Sequence, residues 1–254
     1  MTTPVLRLSD VGWRAAAPVL EHVSFDIQPG EFVAVVGRNG AGKSTLLDIA
    51  AGLRRPTAGA VTLGDRPLTT WTPTARARML AHLPQSVRAD LAATAEALVL
   101  MGRYAHAGRW FESDDDRRLA REAMGRCGCL EFADRPLTTL SGGERQRVFL
   151  AACIAQQARL VLLDEPATHL DVDQQVSCFS VLREEADRGI ACVAVTHDLN
   201  LALAFCTRLI VLAGRRVTHD LSAAAAIADG GWLAAFSERL TLDTGGGRPL
   251  VRYR

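Results

Sequence analysis

The sequence predicts an α/β fold: a mixed sheet flanked by helices, with an N-terminal antiparallel β-layer and a helical subdomain set into the middle of the chain. Three observations carry this. A short apolar, β-branched run at 31–36 is followed by a glycine-rich turn and then by apolar residues at helical spacing over 44–51. Two more apolar runs, 160–163 and 190–195, end in Asp164-Glu165 and in Thr196-His197-Asp198. The stretch 86–140 differs in texture, with helical patterns and few strand-like runs. With 254 residues and 48% hydrophobic content, one large domain over 1–254 is expected. Within it, 1–85 and 148–254 would form the β-layer and core, and about 86–147 the helical subdomain.

Composition narrows the function classes. Twenty-nine basic and 28 acidic residues leave a net charge of +1, without the basic patch or stripe that a nucleic-acid footprint needs. No nucleic-acid partner is expected. The N-terminus has no charged start followed by an apolar core, so no signal peptide is read there. The apolar window 148–163 is broken by Gln156, Gln157 and Arg159, too short and polar to cross a bilayer, and the chain is expected to be soluble. Six cysteines at 127, 129, 153, 178, 192 and 206 contain no C-x-x-C and sit in apolar surroundings. They read as reduced, buried thiols, and Cys127-Gly128-Cys129 lacks the second half a metal site would need.

The first segment holds two strand-like runs, 5–8 and 22–27, separated by 13–18, with Pro29-Gly30 as a turn. Next comes Gly37-Arg38-Asn39-Gly40-Ala41-Gly42-Lys43-Ser44-Thr45, the pattern G-x-x-x-x-G-K-[ST] between a strand and a helix. Its glycines let the backbone bend around a phosphate, and the helix N-terminus adds partial positive charge. Lys43 would reach the β- and γ-phosphates, and the Ser44 hydroxyl would ligate Mg²⁺. Upstream, Trp13 is the aromatic placed to stack on an adenine ring; plain packing on a strand is the open alternative.

Past a turn at 52–59, a strand at 60–63 is expected to extend the core sheet, and 74–81 reads as helix. A short strand then ends in His82-Leu83-Pro84-Gln85, which puts the Gln85 amide where it could face the nucleotide. In the insert, 92–101 and 117–127 are helical, with Ser113 and Asp116 three residues apart as an N-cap and the trio Asp114, Asp115, Asp116 favoured by the helix dipole. Leu140-Ser141-Gly142-Gly143-Glu144-Arg145-Gln146 opens a long amphipathic helix, a second helix start suited to an anion. At the strand ends, Asp164 suits Mg²⁺, and Glu165 is left to position or deprotonate a water, since neighbours on a strand face opposite ways. His197 could meet a γ-phosphate.

In this order the motifs resemble the ATP-binding subunits of ABC transporters, over essentially the whole chain. LSGGERQ at 140–146 is the family signature unmodified. The resemblance implies a RecA-like ATPase core that uses ATP and Mg²⁺. Gln85 is then the Q-loop glutamine, Asp164 and Glu165 the Walker B pair, and His197 the switch histidine. Thr168-His169-Leu170-Asp171 is the D-loop. Mg²⁺ would be held by Ser44, Gln85 and Asp164. Ser141, Gly142, Gly143 and Asp171 would act across a head-to-tail dimer on the ATP site built on Lys43 of a second copy. Two departures stand out. The family's adenine-stacking Tyr or Phe has no clear counterpart, because Ala15 or Ala16 falls near that position. Thr168-His169 replaces the small pair common in the D-loop.

Further likenesses at 100–106, 108–110, 171–176, 196–202 and 247–249 are to importers of ferric siderophores, haem and cobalamin. They point first to ferric siderophores, with haem or cobalamin as the alternative. The implied partners are a second copy, membrane permease subunits and, indirectly, a periplasmic or surface substrate-binding protein, with the chain peripheral on the cytoplasmic face of the membrane. Fewer than a hundred residues separate Thr45 from Ser141, too few for the coiled coil of the DNA-repair relatives, and one signature excludes the two-cassette translation factors. An exporter ATPase is the remaining alternative.

Overall fold

The computed structural model describes residues 3–86, 91–106, 113–246 and 248–253. Its two main sheets divide the labour that the sequence assigns to the two kinds of strand. The first is antiparallel, in the order β2 (Pro18–Ile27), β1 (Leu6–Arg14), β4 (Ala58–Leu63), β5 (Arg66–Pro67). The second has six strands, in the order β10 (Arg216–Ser222), β9 (Arg208–Ala213), β3 (Phe32–Val36), β8 (Ala191–Val195), β7 (Leu160–Asp164), β6 (Leu80–Leu83). It is mixed: β10 pairs antiparallel to β9, and the rest run parallel. Every residue of β3, β7 and β8 is buried, as expected of parallel strands covered on both faces.

Alternation along these strands sorts them between two cores. Val33, Val35, Leu160, Leu162, Val193 and Val195 join the antiparallel layer and helix α1 (Lys43–Ala50). Ala34, Val36, Val161, Leu163 and Ala194 face the helices on the other side, among them α5 (Gly142–Ala155) and α6 (Val172–Asp187).

Three expectations about elements are corrected. The strand at 60–63 does not extend the core sheet: β4 pairs antiparallel with β1, Leu6 opposite Leu63, because a turn-linked return with alternating burial fits an open-faced layer. The helix read at 74–81 is α2 (Pro73–Ala77), and β6 starts at Leu80, where the chain needs a buried edge for β7. The helix α5 is not amphipathic along its length; from Val148 to Ala155 every residue but Ala152 is buried, since it runs between the insert and the sheet. The first two strands are also longer than read, and β1 takes in Trp13, paired with Leu20.

The insert contains α3 (Ala95–Met101), capped by Thr94, and α4 (Asp114–Arg126), capped by the reciprocal Ser113–Asp116 box. Its turn at 102–106 is fixed to the end of α5. Arg103, 7% exposed, donates from Nε to Asp116 at 2.9 Å and from Nη1 to the Ala155 carbonyl at 2.8 Å and to Gln157 at 3.0 Å. All six cysteines are free and buried, and burial pushes the Cys129, Cys153 and Cys178 thiols up to about 12. Among the described residues no helix is long and apolar enough to cross a membrane. The readings on 87–90, 108–110 and Gly247 lie outside the described residues.

Candidate functional site

The carboxyl ends of β3, β8 and β7, three adjacent strands, put their loops at one edge of the sheet, where open α/β folds place ligands. After β3 the chain must turn sharply into α1. A Cβ at Gly37 would overlap the Leu212 carbonyl on β9, and Gly40 and Gly42 take φ of 77° and 98°, so the loop's conformation depends on glycine. Lys43 opens α1 with its Nζ turned back onto the Gly37 and Arg38 carbonyls at 2.9 and 3.1 Å. Burial lowers its pKa, while Glu165 and Asp164 pull it the other way.

Asp164 is the last residue of β7 and only 4% exposed. Burial raises its pKa, with the Ser44 hydroxyl opposing. Its Oδ1 is buried without a hydrogen-bond partner, the kind of orphan acceptor that a cation or its water shell satisfies.

Glu165 lies beyond the strand with φ of 54°, so strand alternation is not what separates the two acids. A left-handed residue turns the chain instead, and its N–H is fixed on the Val195 carbonyl of β8 at 3.1 Å. Its carboxylate is held at both oxygens: Oε1 lies 2.8 Å from His197 Nε2, and Oε2 accepts from the Thr168 hydroxyl at 3.0 Å. A cleft of about 590 Å³ brings these parts together, lined by Val19, Asn39, Gly40, Gly42, Lys43, Ser44, Thr45, Gln85, Glu165 and His197.

Other expected residues are elsewhere. Ser141 caps α5 in a reciprocal box with Glu144, its N–H 2.6 Å from Glu144 Oε2, and neither it nor Gly142 or Gly143 is among the residues that line the cleft. A Cβ on Gly143 would press on Gln174 and the His169 carbonyl at 3.1 and 3.3 Å, so the signature helix starts tight against the D-loop. Asp171 caps α6 through the Gln174 N–H at 2.9 Å. Gln146 ties α5 to the turn after Glu165, donating to the Pro166 carbonyl at 2.9 Å.

Trp13 is not among the residues that line the cleft. Its indole packs against the antiparallel layer's core with the Arg54 guanidinium 4.4 Å from the ring centroid, and Val19 of the neighbouring strand is the residue that lines the cleft. β1 carries Trp13 into the layer, opposite Leu20 on β2. Sequence reasoning missed Val19, the Thr168 bond to Glu165, the Gln146 bond to Pro166 and the Arg103–Asp116 pair. Thr168 in the D-loop and Gln146 in the signature stand in motifs that could have signalled their contacts.

The family profile described as "ABC transporter" matches residues 20–168, from β2 through the phosphate loop and signature to the D-loop. The chain belongs to the ABC transporter family. This ABC protein is an ATPase of that family by fold and motif together. It is 45% identical over 216 residues to the hemin import ATP-binding protein HmuV of Gloeobacter violaceus, covering 82% of this chain and 78% of that one. To the cobalamin import ATP-binding protein BtuD of Halobacterium salinarum it is 42% identical over 232 residues, which is 91% of this chain and 58% of the relative. Among solved structures, an inward-facing metal-chelate type ABC transporter superposes with a TM-score of 0.81 at 26% identity, over 99% of this chain and 97% of its own.

Proposed function

We propose that the chain is the ATP-hydrolysing subunit of an importer for metal chelates. The observation that carries the hydrolytic part is the placement of Glu165, fixed by His197 and Thr168 at the wall of the cleft that Lys43 and Ser44 also line. Phosphates enter the phosphate loop, where the N–H groups between Gly37 and Thr45 and the start of α1 receive negative charge. Lys43 exchanges the Gly37 and Arg38 carbonyls for phosphate oxygens, a low-cost exchange because the amine is already desolvated. Glu165 accepts the proton of the attacking water as its oxygen bonds to the γ-phosphorus and the bond to the bridging oxygen breaks. His197 meets the γ-phosphate and keeps Glu165 in place.

The orphan Oδ1 of Asp164, whose carboxylate is hydrogen-bonded by Ser44, fits Mg²⁺, which Ser44 and Asp164 would hold together with Gln85. That ion would neutralise charge on the phosphates. The family resemblance implies that two copies act together, with Ser141, Gly142, Gly143 and Asp171 closing the partner's site in a head-to-tail pair; their absence from the lining of their own cleft is consistent with that role. The chain works as a single cassette over 1–254, with about 86–147 as the helical part that meets membrane permease subunits, and a substrate-binding protein delivers cargo from the far side. It therefore sits peripherally on the cytoplasmic face of the membrane.

Import is supported by the names of the two relatives, and a metal chelate by those names with the superposed transporter. Haem and cobalamin stand ahead of a ferric siderophore on this ground. The test is to purify the full chain with the membrane subunits that accompany it, place them in vesicles holding ATP on the cassette side, and measure uptake of haem, cobalamin and a ferric siderophore. ATP-dependent uptake of one of them, lost in Lys43→Ala, is expected. ATP-dependent movement of all cargo in the outward direction would replace this reading with an exporter.

A further inference from the structure

Glu165 has a partner besides His197, and it comes from the segment where this sequence departs from its family. The Thr168 hydroxyl donates to Glu165 Oε2 at 3.0 Å, and the Thr168 N–H closes the same turn on the Glu165 carbonyl at 3.2 Å. The turn is also held from outside, through the Gln146 bond to the buried Pro166. Glu165 stands at a partition: on one side is the phosphate cleft, on the other a second cavity of about 150 Å³ lined by Ala167, Thr168, Gln175, Thr196 and Asp198. A glutamate has three side-chain rotors and, with open space on both sides, would spread over several rotamers. Its two oxygens are instead bound to two different elements, the His197 loop and the turn it belongs to.

We infer that Thr168 is a positioning residue for hydrolysis: its single hydroxyl proton fixes one oxygen of Glu165, so that the carboxylate stays at the cleft wall with acceptor capacity left for water. This rests on the reading of Glu165 as the base. Valine at 168 keeps the branched shape and removes the donor, whereas serine keeps the donor.

The experiment measures kcat, KM and ATP affinity of the full chain carrying Thr168→Val, Thr168→Ser, Glu165→Gln and the Thr168→Val/Glu165→Gln pair. Thr168→Val is expected to lower kcat about tenfold, the scale of a lost hydrogen bond to a charged group, with KM and ATP affinity within about twofold of wild type. Thr168→Ser is expected to restore most of the rate. In the Glu165→Gln background, Thr168→Val is expected to change the residual rate less than about twofold, because its effect passes through the carboxylate. Wild-type kcat in Thr168→Val overturns the inference, and so does an equal loss in both backgrounds, which would make the threonine merely structural. If Thr168→Val fails to bind ATP, Thr168→Ala takes its place in the same cycle. Wild-type turnover in Glu165→Gln would instead sink the reading of the base, independently of Thr168.

Discussion

Replacing Asp116 with Ala would remove the carboxylate paired with Arg103, a residue only 7% exposed. Arg103 would keep two neutral acceptors, the Ala155 carbonyl and Gln157, and would have lost its countercharge. Breaking a buried pair by deleting one partner costs about 3–5 kcal/mol. In a chain of this size each kcal/mol moves Tm by about 2–4 °C, so a fall of about 6–20 °C is expected. The helix start at Ser113 would add to the loss, since Asp116 also completes that cap.

The assay is thermal melting followed by circular dichroism, with ATP affinity measured alongside and expected unchanged, because Asp116 is not among the residues that line the cleft. The pH dependence has a defined sign. The Ser113 hydroxyl first, and Arg103 second, hold the Asp116 carboxyl below its ordinary value of 3.8. Its contribution is therefore complete above that value and is lost as pH falls through the depressed one. The gap in Tm between wild type and Asp116→Asn should close only in that acid range. A Tm within 2 °C of wild type for Asp116→Ala at neutral pH would refute the claim that this pair fastens the insert to α5.

Two further outcomes follow from the site. Lys43→Ala should weaken ATP binding by an isolated chain about tenfold or more, whereas Ser141→Arg should leave that binding within about twofold and abolish turnover, since Ser141 lies off its own cleft; equal loss of binding in both would contradict the composite site. Trp13→Ala should lower Tm and leave ATP affinity within about twofold, because the indole is engaged with Arg54 and the layer beneath it; a tenfold loss of affinity by fluorescence titration would show that the ring reaches adenine after all.

Local rules made much of this fold legible. The strand, glycine turn and helix around Lys43, the N-cap at Ser113, the helix start at Ser141 and Asp164 at the end of β7 all follow from short-range spacing and are found where that spacing puts them. What depends on distant pairing was not legible. The register of β4 on β1 and the length of β1 are set across sequence gaps, so the strand at 60–63 is expected in the core sheet but lies in the antiparallel layer, and β1 runs on to include Trp13. The burial of Arg103 has no local signal, because nothing nearby in sequence announces Ala155 or Gln157. Glu165 was assigned the right surroundings for an incomplete reason: alternation predicts that it diverges from Asp164, but the left-handed turn is what brings it to His197.

The most direct test of ATP hydrolysis at this cleft is phosphate release from Mg·ATP by the wild-type chain and by Glu165→Gln, each with ATP affinity measured in parallel. The amide keeps the side chain's shape and can no longer take the proton from water. The expected result is equal ATP affinity with turnover reduced about 10²-fold or more. Phosphate release by Glu165→Gln at the wild-type rate would contradict it.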